Sequence, residues 1–243
     1  MQRRMRNAAV GVTAVVIAMS PSQLYAQSGS AAVNSTMSTY LAGGNTYGIV
    51  PLNGGGIAPF EIILAAGTGR ILRVDASGTA TFCPGATCGT PNPDGPSIGG
   101  TDLNSSGSIS GILAPTSGFL AGVFLGPSLP AAAPNRLDFN FFGTSFVSLS
   151  GLQLGQTFFI GDGFGAGAVQ QQFFVPDGAT RLYLGIADGG GFVGNPDFYG
   201  DNVGTYTARY SITGSSTVPE PTTIALMATG LAALTLIRRR KTS

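Results

Sequence analysis

The side chains best placed to do chemistry are Asp188, Asp197, Asp201 and Asn202, gathered within fifteen residues near the end of the chain. They lie on a Gly-rich connection between two alternating apolar segments. Carboxylate and amide oxygens in such a loop suit a hard cation, and calcium is the expected ion. Asp-Gly and Gly-Asn pairs are also what turns require, so the same residues read equally as turn formers. Other chemistries are closed off. The chain has no histidine, which argues against zinc and removes Ser-His-Asp and Cys-His triads. Its one lysine, Lys241, sits in the tail, so the body has no lysine base to activate a nucleophile. Ten body carboxylates could hold a glycosidase pair, but no two stand in an assignable motif. A non-enzymatic protein is expected.

The elements that must position these residues read as strands. Segments 57–64, 71–74, 109–113, 119–125, 137–142, 158–160, 171–175, 182–187 and 206–212 are short, rich in β-branched and aromatic residues, and separated by turn clusters. Tyr206, Ala208, Tyr210 and Ile212 share one face of a strand while Thr207, Arg209 and Ser211 share the other. No comparable stretch carries helical periodicity. Many short strands with Gly-rich turns predict an all-β fold, an antiparallel β-sandwich spanning 57–214. Residues 27–56 read as a polar leader with one strand near Tyr47, and 215–218 as a short flexible stalk.

Both termini carry export information. Arg3, Arg4 and Arg6, an apolar stretch from Ala8 to Met19, and Leu24-Tyr25-Ala26 before Gln27 form a secretory signal over 1–26, with cleavage expected after Ala26 by the Sec route. At the other end Pro219, Glu220 and Pro221 lead into an apolar run, 222–237, closed by Arg238, Arg239, Arg240 and Lys241. Prolines stop the preceding domain, the run can enter a bilayer as a helix, and the basic cluster stays on the cytoplasmic face. At ~1.5 Å per residue the run reaches roughly 24 Å, short of the ~30 Å hydrocarbon core, which favours a transient anchor. The tail, 215–243, resembles the PEP-CTERM sorting signal. That resemblance implies recognition and cleavage by an exosortase, passing contact with the inner membrane, and delivery to the outer envelope or exopolysaccharide matrix of a Gram-negative bacterium.

Set apart from both ends, the body holds five arginines against ten acidic residues, a net charge of about −5 hidden by the whole-chain value of +1. An acidic body argues against a nucleic-acid partner. In an exported protein, Cys83 and Cys88, with four residues between them, are expected to close a small disulfide loop.

The body also resembles the PA-I type of bacterial galactose-binding, calcium-dependent lectin. Tyr199-Gly200-Asp201-Asn202-Val203-Gly204-Thr205-Tyr206 is similar to that family's terminal loop and last strand, and Gly78 to Phe82 to a strand ending in an aromatic residue. Asn92-Pro93-Asp94 is similar to its His-Pro-Asp sugar loop, and Thr180 to Asp188 to a strand delivering an aspartate; 127–167 would be an insertion. The resemblance implies a jelly-roll-like sandwich that binds a glycan through calcium. Asp188, Asp201, Asn202 and the carbonyls of Phe82 and Phe198 would hold the ion, with Asp197 competing for the role of Asp188. Asn92, Pro93 and Asp94, with Asp188 and Asp201, would face the sugar. Asp201 replaces an asparagine of the pattern, Asn92 its histidine and Gly95 its glutamine, departures that bear on the sugar more than on the ion. The alternative is a structural or matrix protein in which the same calcium only braces the sandwich.

Overall fold

The computed structural model describes residues 22–48, 50, 52–83, 91–97 and 99–217. Among them the strands are β1 (Ser22–Asn34), β2 (Phe60–Ile63), β3 (Thr68–Thr81), β4 (Thr101–Leu103), β5 (Ile112–Ala114), β6 (Leu120–Leu125) and β7 (Leu137–Asp138). They continue as β8 (Ser148–Leu149), β9 (Thr157–Phe159), β10 (Gln172–Phe174), β11 (Arg181–Ile186), β12 (Val193–Gly194) and β13 (Val203–Thr217). One sheet runs β1-β13-β3-β10-β8, a second β2-β11-β6-β9, and a third, smaller one β12-β4-β5-β7. The body is all-β, as the alternation predicts.

Strand β3 shows why the chain pleats here. Leu72, Val74, Ala76 and Ala80 turn inward while Asp75, Ser77 and Thr79 stay exposed, the two-residue period of a sheet with one wet face. Its long antiparallel ladder with β13 runs from Thr81 opposite Val203 to Ile71 opposite Thr213. In the second sheet all six residues of β6 are buried. One face looks onto the first sheet, where Phe158 of β9 meets Phe173 of β10 with ring centroids 5.4 Å apart. On β6 and β11 lies a 3-10 segment, Thr39–Gly44, with Tyr40 and Ala42 fully buried. Burial on both faces is what permits an uninterrupted apolar strand.

Several expectations need correction. The stretch 27–56 is no leader: it supplies most of β1, at the edge of the first sheet, and the 3-10 cover of the second. Tyr47 is in a loop rather than a strand, its hydroxyl 2.6 Å from both Ser38 Oγ and the Gly55 carbonyl. The stalk is also absent as such, because 215–217 complete β13. The aromatic run 137–142 stops being a strand after Asp138, whose carboxylate accepts the Asn140 N–H and caps one helical turn, Phe139–Phe142. That turn buries Phe139 against Phe159, so the segment read as an insertion is part of the core. The sandwich is not purely antiparallel, since β8 with β10, β12 with β4, and β7 with β5 pair in parallel. The cleavage point expected after Ala26 falls inside β1; residues 1–21 and the sorting tail from 218 onward lie outside the described residues. Among the described residues no helix is long and apolar enough to cross a membrane.

Candidate functional site

Two of the expected ligands meet where three strands end. Asp188 follows β11, Asn202 precedes β13, and Ser35 follows β1. The Asn202 amide donates to Asp188 Oδ2 at 2.7 Å and to the Ser35 carbonyl at 2.9 Å. Asp188 Oδ1 accepts the Gly189 N–H at 2.7 Å. Behind them the Tyr199 hydroxyl accepts the Asp188 N–H at 3.1 Å and donates to the Ile186 carbonyl at 3.0 Å. Asp188 is 2% exposed and Asn202 6%, so this node ties the two larger sheets together out of water.

Burial pushes the Asp188 carboxyl well above the ordinary carboxylate range. Hydrogen bonds from Asn202 and Gly189 pull the other way, and the nearby charges of Asp201 and Asp197 add to the rise. The node also holds buried oxygens without a partner: Asp201 Oδ1, Asn202 Oδ1 and Ser35 Oγ. A buried acceptor left unmatched costs stability, and carboxylates near one another in a buried site are relieved either by protonation or by a cation. The donor set of two carboxylates, an amide oxygen and a hydroxyl is chemically that of a hard cation. It is not a cage of acids, for no group of three or more His, Cys, Asp or Glu side chains among the described residues could hold a metal.

The remaining predicted ligands are arranged unevenly around it. Because Thr81 pairs with Val203, Phe82 and Asn202 are the next residues along at that end of the ladder. Phe82 is buried, its ring meeting Phe192 edge-on at 6.1 Å. Phe198 adopts the left-handed conformation, φ 68°, just before the 3-10 turn Tyr199–Asp201. Asp197, the competitor for the ion, is buried with its carboxylate engaged elsewhere, accepting the N–H groups of Gly190 at 3.1 Å and Leu52 at 3.3 Å. Cys83 is disulfide-bonded, and the only other cysteine of the chain, Cys88, lies outside the described residues.

The expected sugar loop is used differently. The Asn92 carbonyl accepts the Gly95 N–H at 3.0 Å and the Tyr206 hydroxyl at 3.1 Å, and the Pro93 carbonyl accepts the Leu120 N–H at 2.8 Å. Asp94 points to Asp162, whose N–H it binds through Oδ1 at 2.9 Å. Among the described residues no hydrogen bond links 92–94 to Asp188, Asp201 or Asn202. Sequence reasoning missed Ser35, Tyr199 and Asp162. Ser35 sits in the supposed leader, and Asp162-Gly163 looks like any turn pair.

With this geometry in hand, comparison with known proteins finds one match, of residues 217–241 to the PEP-CTERM protein-sorting motif. That tail marks an exported protein processed by an exosortase. No curated protein and no solved structure matches the chain. The likeness of the body to the PA-I lectins therefore gains no support.

Proposed function

We propose that the chain is an exported, non-enzymatic component of the outer envelope or exopolysaccharide matrix whose Asp188–Asn202 node takes up calcium as a brace between its sheets. Release at the Pro219-Glu220-Pro221 tail would complete its delivery. The observation that carries this reading is that Asn202, whose amide nitrogen holds the desolvated Asp188 carboxylate, keeps a buried Oδ1 without a partner, as does Asp201 one residue before it. Asp188, Asp201 and Asn202 would hold the ion, with the carbonyls of Phe82 and Phe198 as further donors. Calcium supplies positive charge that lets these carboxylates stay ionised in a dry site. The burial of Asp188 and Asn202, and the separate engagement of 92–94, favour a brace over an ion that shares its coordination with galactose.

Thermal unfolding of the full chain tests this. Calcium should raise the Tm, because an ion bound only to the folded state adds RT ln(1 + [L]/Kd), and both Asp188→Ala and Asp201→Ala should remove the gain. No calcium-dependent shift at millimolar ion, the weak end of the extracellular range of about 10⁻⁴ to 10⁻³ M, sinks the brace. The sorting half is checked by intact mass of the protein recovered outside the cell, which should lack Arg238 to Lys241.

A further inference from the structure

The aspartate that leaves the node enters another site. Asp94 and Asp162 line an open cavity of about 540 Å³ together with Ser145, Phe164, Ala166 and Ala168. We propose that this cavity binds a neutral pyranose unit of a polysaccharide, directly and without calcium.

Space is the first consideration. The cavity falls within the ~300–1,000 Å³ typical of small-molecule sites, whereas a water occupies only about 30 Å³. The chain is shaped to keep it. A Cβ on Gly161 would run into Asp94 Oδ1, so this position needs glycine for Asp94 to reach the Asp162 backbone, and a Cβ on Gly163 would run into the Val74 carbonyl. On the wall, Ala168 holds a left-handed φ of 58°, a conformation that L side chains adopt at a cost.

The chemistry of the lining selects the ligand. Asp94 Oδ1 accepts the Asp162 N–H and Asp162 Oδ1 the Phe164 N–H at 2.8 Å, and the two carboxyls also meet side chain to side chain, so the cavity wall carries a paired set of carboxyl oxygens. Sugar hydroxyls are donors, and hydrogen bonds from O–H to a carboxylate are among the stronger ones. The half-buried Phe164 ring offers apolar surface for the C–H face of a pyranose. Among the described residues no lysine or arginine lines the cavity, and paired carboxylates repel a uronic acid. A cation fits less well, since two carboxyls that engage each other and one serine hydroxyl fall short of the 6–8 oxygens calcium takes. None of the node residues Asp188, Asp201 and Asn202 lines the cavity, so the sugar reading is tested separately from the brace.

Affinity electrophoresis of the full chain through neutral dextran, mannan and galactan, and through anionic alginate, with and without chelator, provides the test. Retardation by at least one neutral polymer is expected, unchanged by chelator and absent with alginate. Asp162→Asn keeps an acceptor for the Phe164 N–H but replaces the other carboxyl oxygen with an amide donor, and with Phe164→Ala should weaken binding about tenfold each, the loss of one good contact. Both variants should retain the thermal response to calcium of the parent, or, if the parent has none, its Tm, which separates lost binding from lost folding. The proposal is overturned if no neutral polymer binds, if chelator abolishes binding, if alginate binds as well, or if both variants bind like the parent.

Discussion

At the Asp188 node and in the Asp94 cavity the chain brings carboxylates close together, and the two places treat them in opposite ways. Asp188 sits 2% exposed at the junction of two sheets, held by the Asn202 amide and the Gly189 N–H. Asp94 is only partly covered, held by the Asp162 N–H and set against the Asp162 carboxyl. Burial is the first cause of a raised carboxyl in both, yet at the node side-chain hydrogen bonds and strand ends are committed to it. In the cavity the two carboxyls engage each other and line open space. Depth therefore sorts the same side chain into two uses: where water is excluded a carboxylate must be matched by the protein or by an ion, and where water enters it stays available to a ligand.

The sharpest way to break this contrast is to remove the node's donor. Asn202→Ala strips Asp188 Oδ2 and the Ser35 carbonyl of their shared partner, and urea unfolding should show a loss of roughly 1.5–3 kcal/mol, as for hydrogen bonds to charged groups. Asp162→Asn should change stability by no more than about 0.5 kcal/mol, as at ordinary surface positions. Equal losses would mean that depth does not separate the two sites.

A second measurement divides the node itself. Asp197→Ala removes acceptors for Gly190 and Leu52, neutral N–H donors, so stability should fall by about 0.5–1.5 kcal/mol while calcium still raises the Tm. Loss of the calcium response in this variant would move the ligand from Asp188 to Asp197.

Closer to the cavity, Gly161→Ala places a methyl against Asp94 Oδ1 at a residue with φ of 64°. The left-handed backbone alone costs about 1–2 kcal/mol for a residue with a Cβ. The expected result is a loss of that order, weakened polysaccharide retention, and an unchanged calcium shift. A changed calcium shift would show that node and cavity are coupled.

The smallest effect is a pH dependence. Burial and the neighbouring Asp162 carboxylate raise the Asp94 carboxyl above its ordinary 3.8. A carboxyl raised on folding contributes stability that is complete below the ordinary value and is lost as pH climbs through the folded value. Asp94→Asn should therefore lack this component. Relative to the parent, the variant should do best at neutral pH and lose that advantage as the pH falls toward 3.8, which thermal unfolding across the range would detect. A constant difference across the range would show that Asp94 does not titrate differently on folding.

How much of this was legible depends on distance along the chain. Strands β6, β11 and β13 show in the sequence because a buried face repeats every second residue or every residue is apolar. The segment of β1 that buries Ala31 and Val33 does not, because its inward residues are small and it is surrounded by Ser, Gly and Gln. Phe139–Phe142 looks like strand by composition and becomes a helical turn because Asp138 caps it and Gly143 ends it with φ 72°. The node was partly readable, since Asp188, Asp201 and Asn202 lie within fifteen residues, but its third strand end, Ser35, is 167 residues from Asn202.

The sequence by itself determined the export tail, the absence of histidine chemistry, the acidic body and the β character, because each rests on composition or on a pattern within a few residues. Only the tertiary structure decided that Asp94 meets Asp162, 68 residues away along the chain, rather than Asp188. It also decided that Asp188 lies sealed between sheets while Asp94 stays open. Pairing and depth follow from which strands become neighbours and how the layers close over them. Those are sums of weak contacts across the whole core, and no local run of residues encodes them.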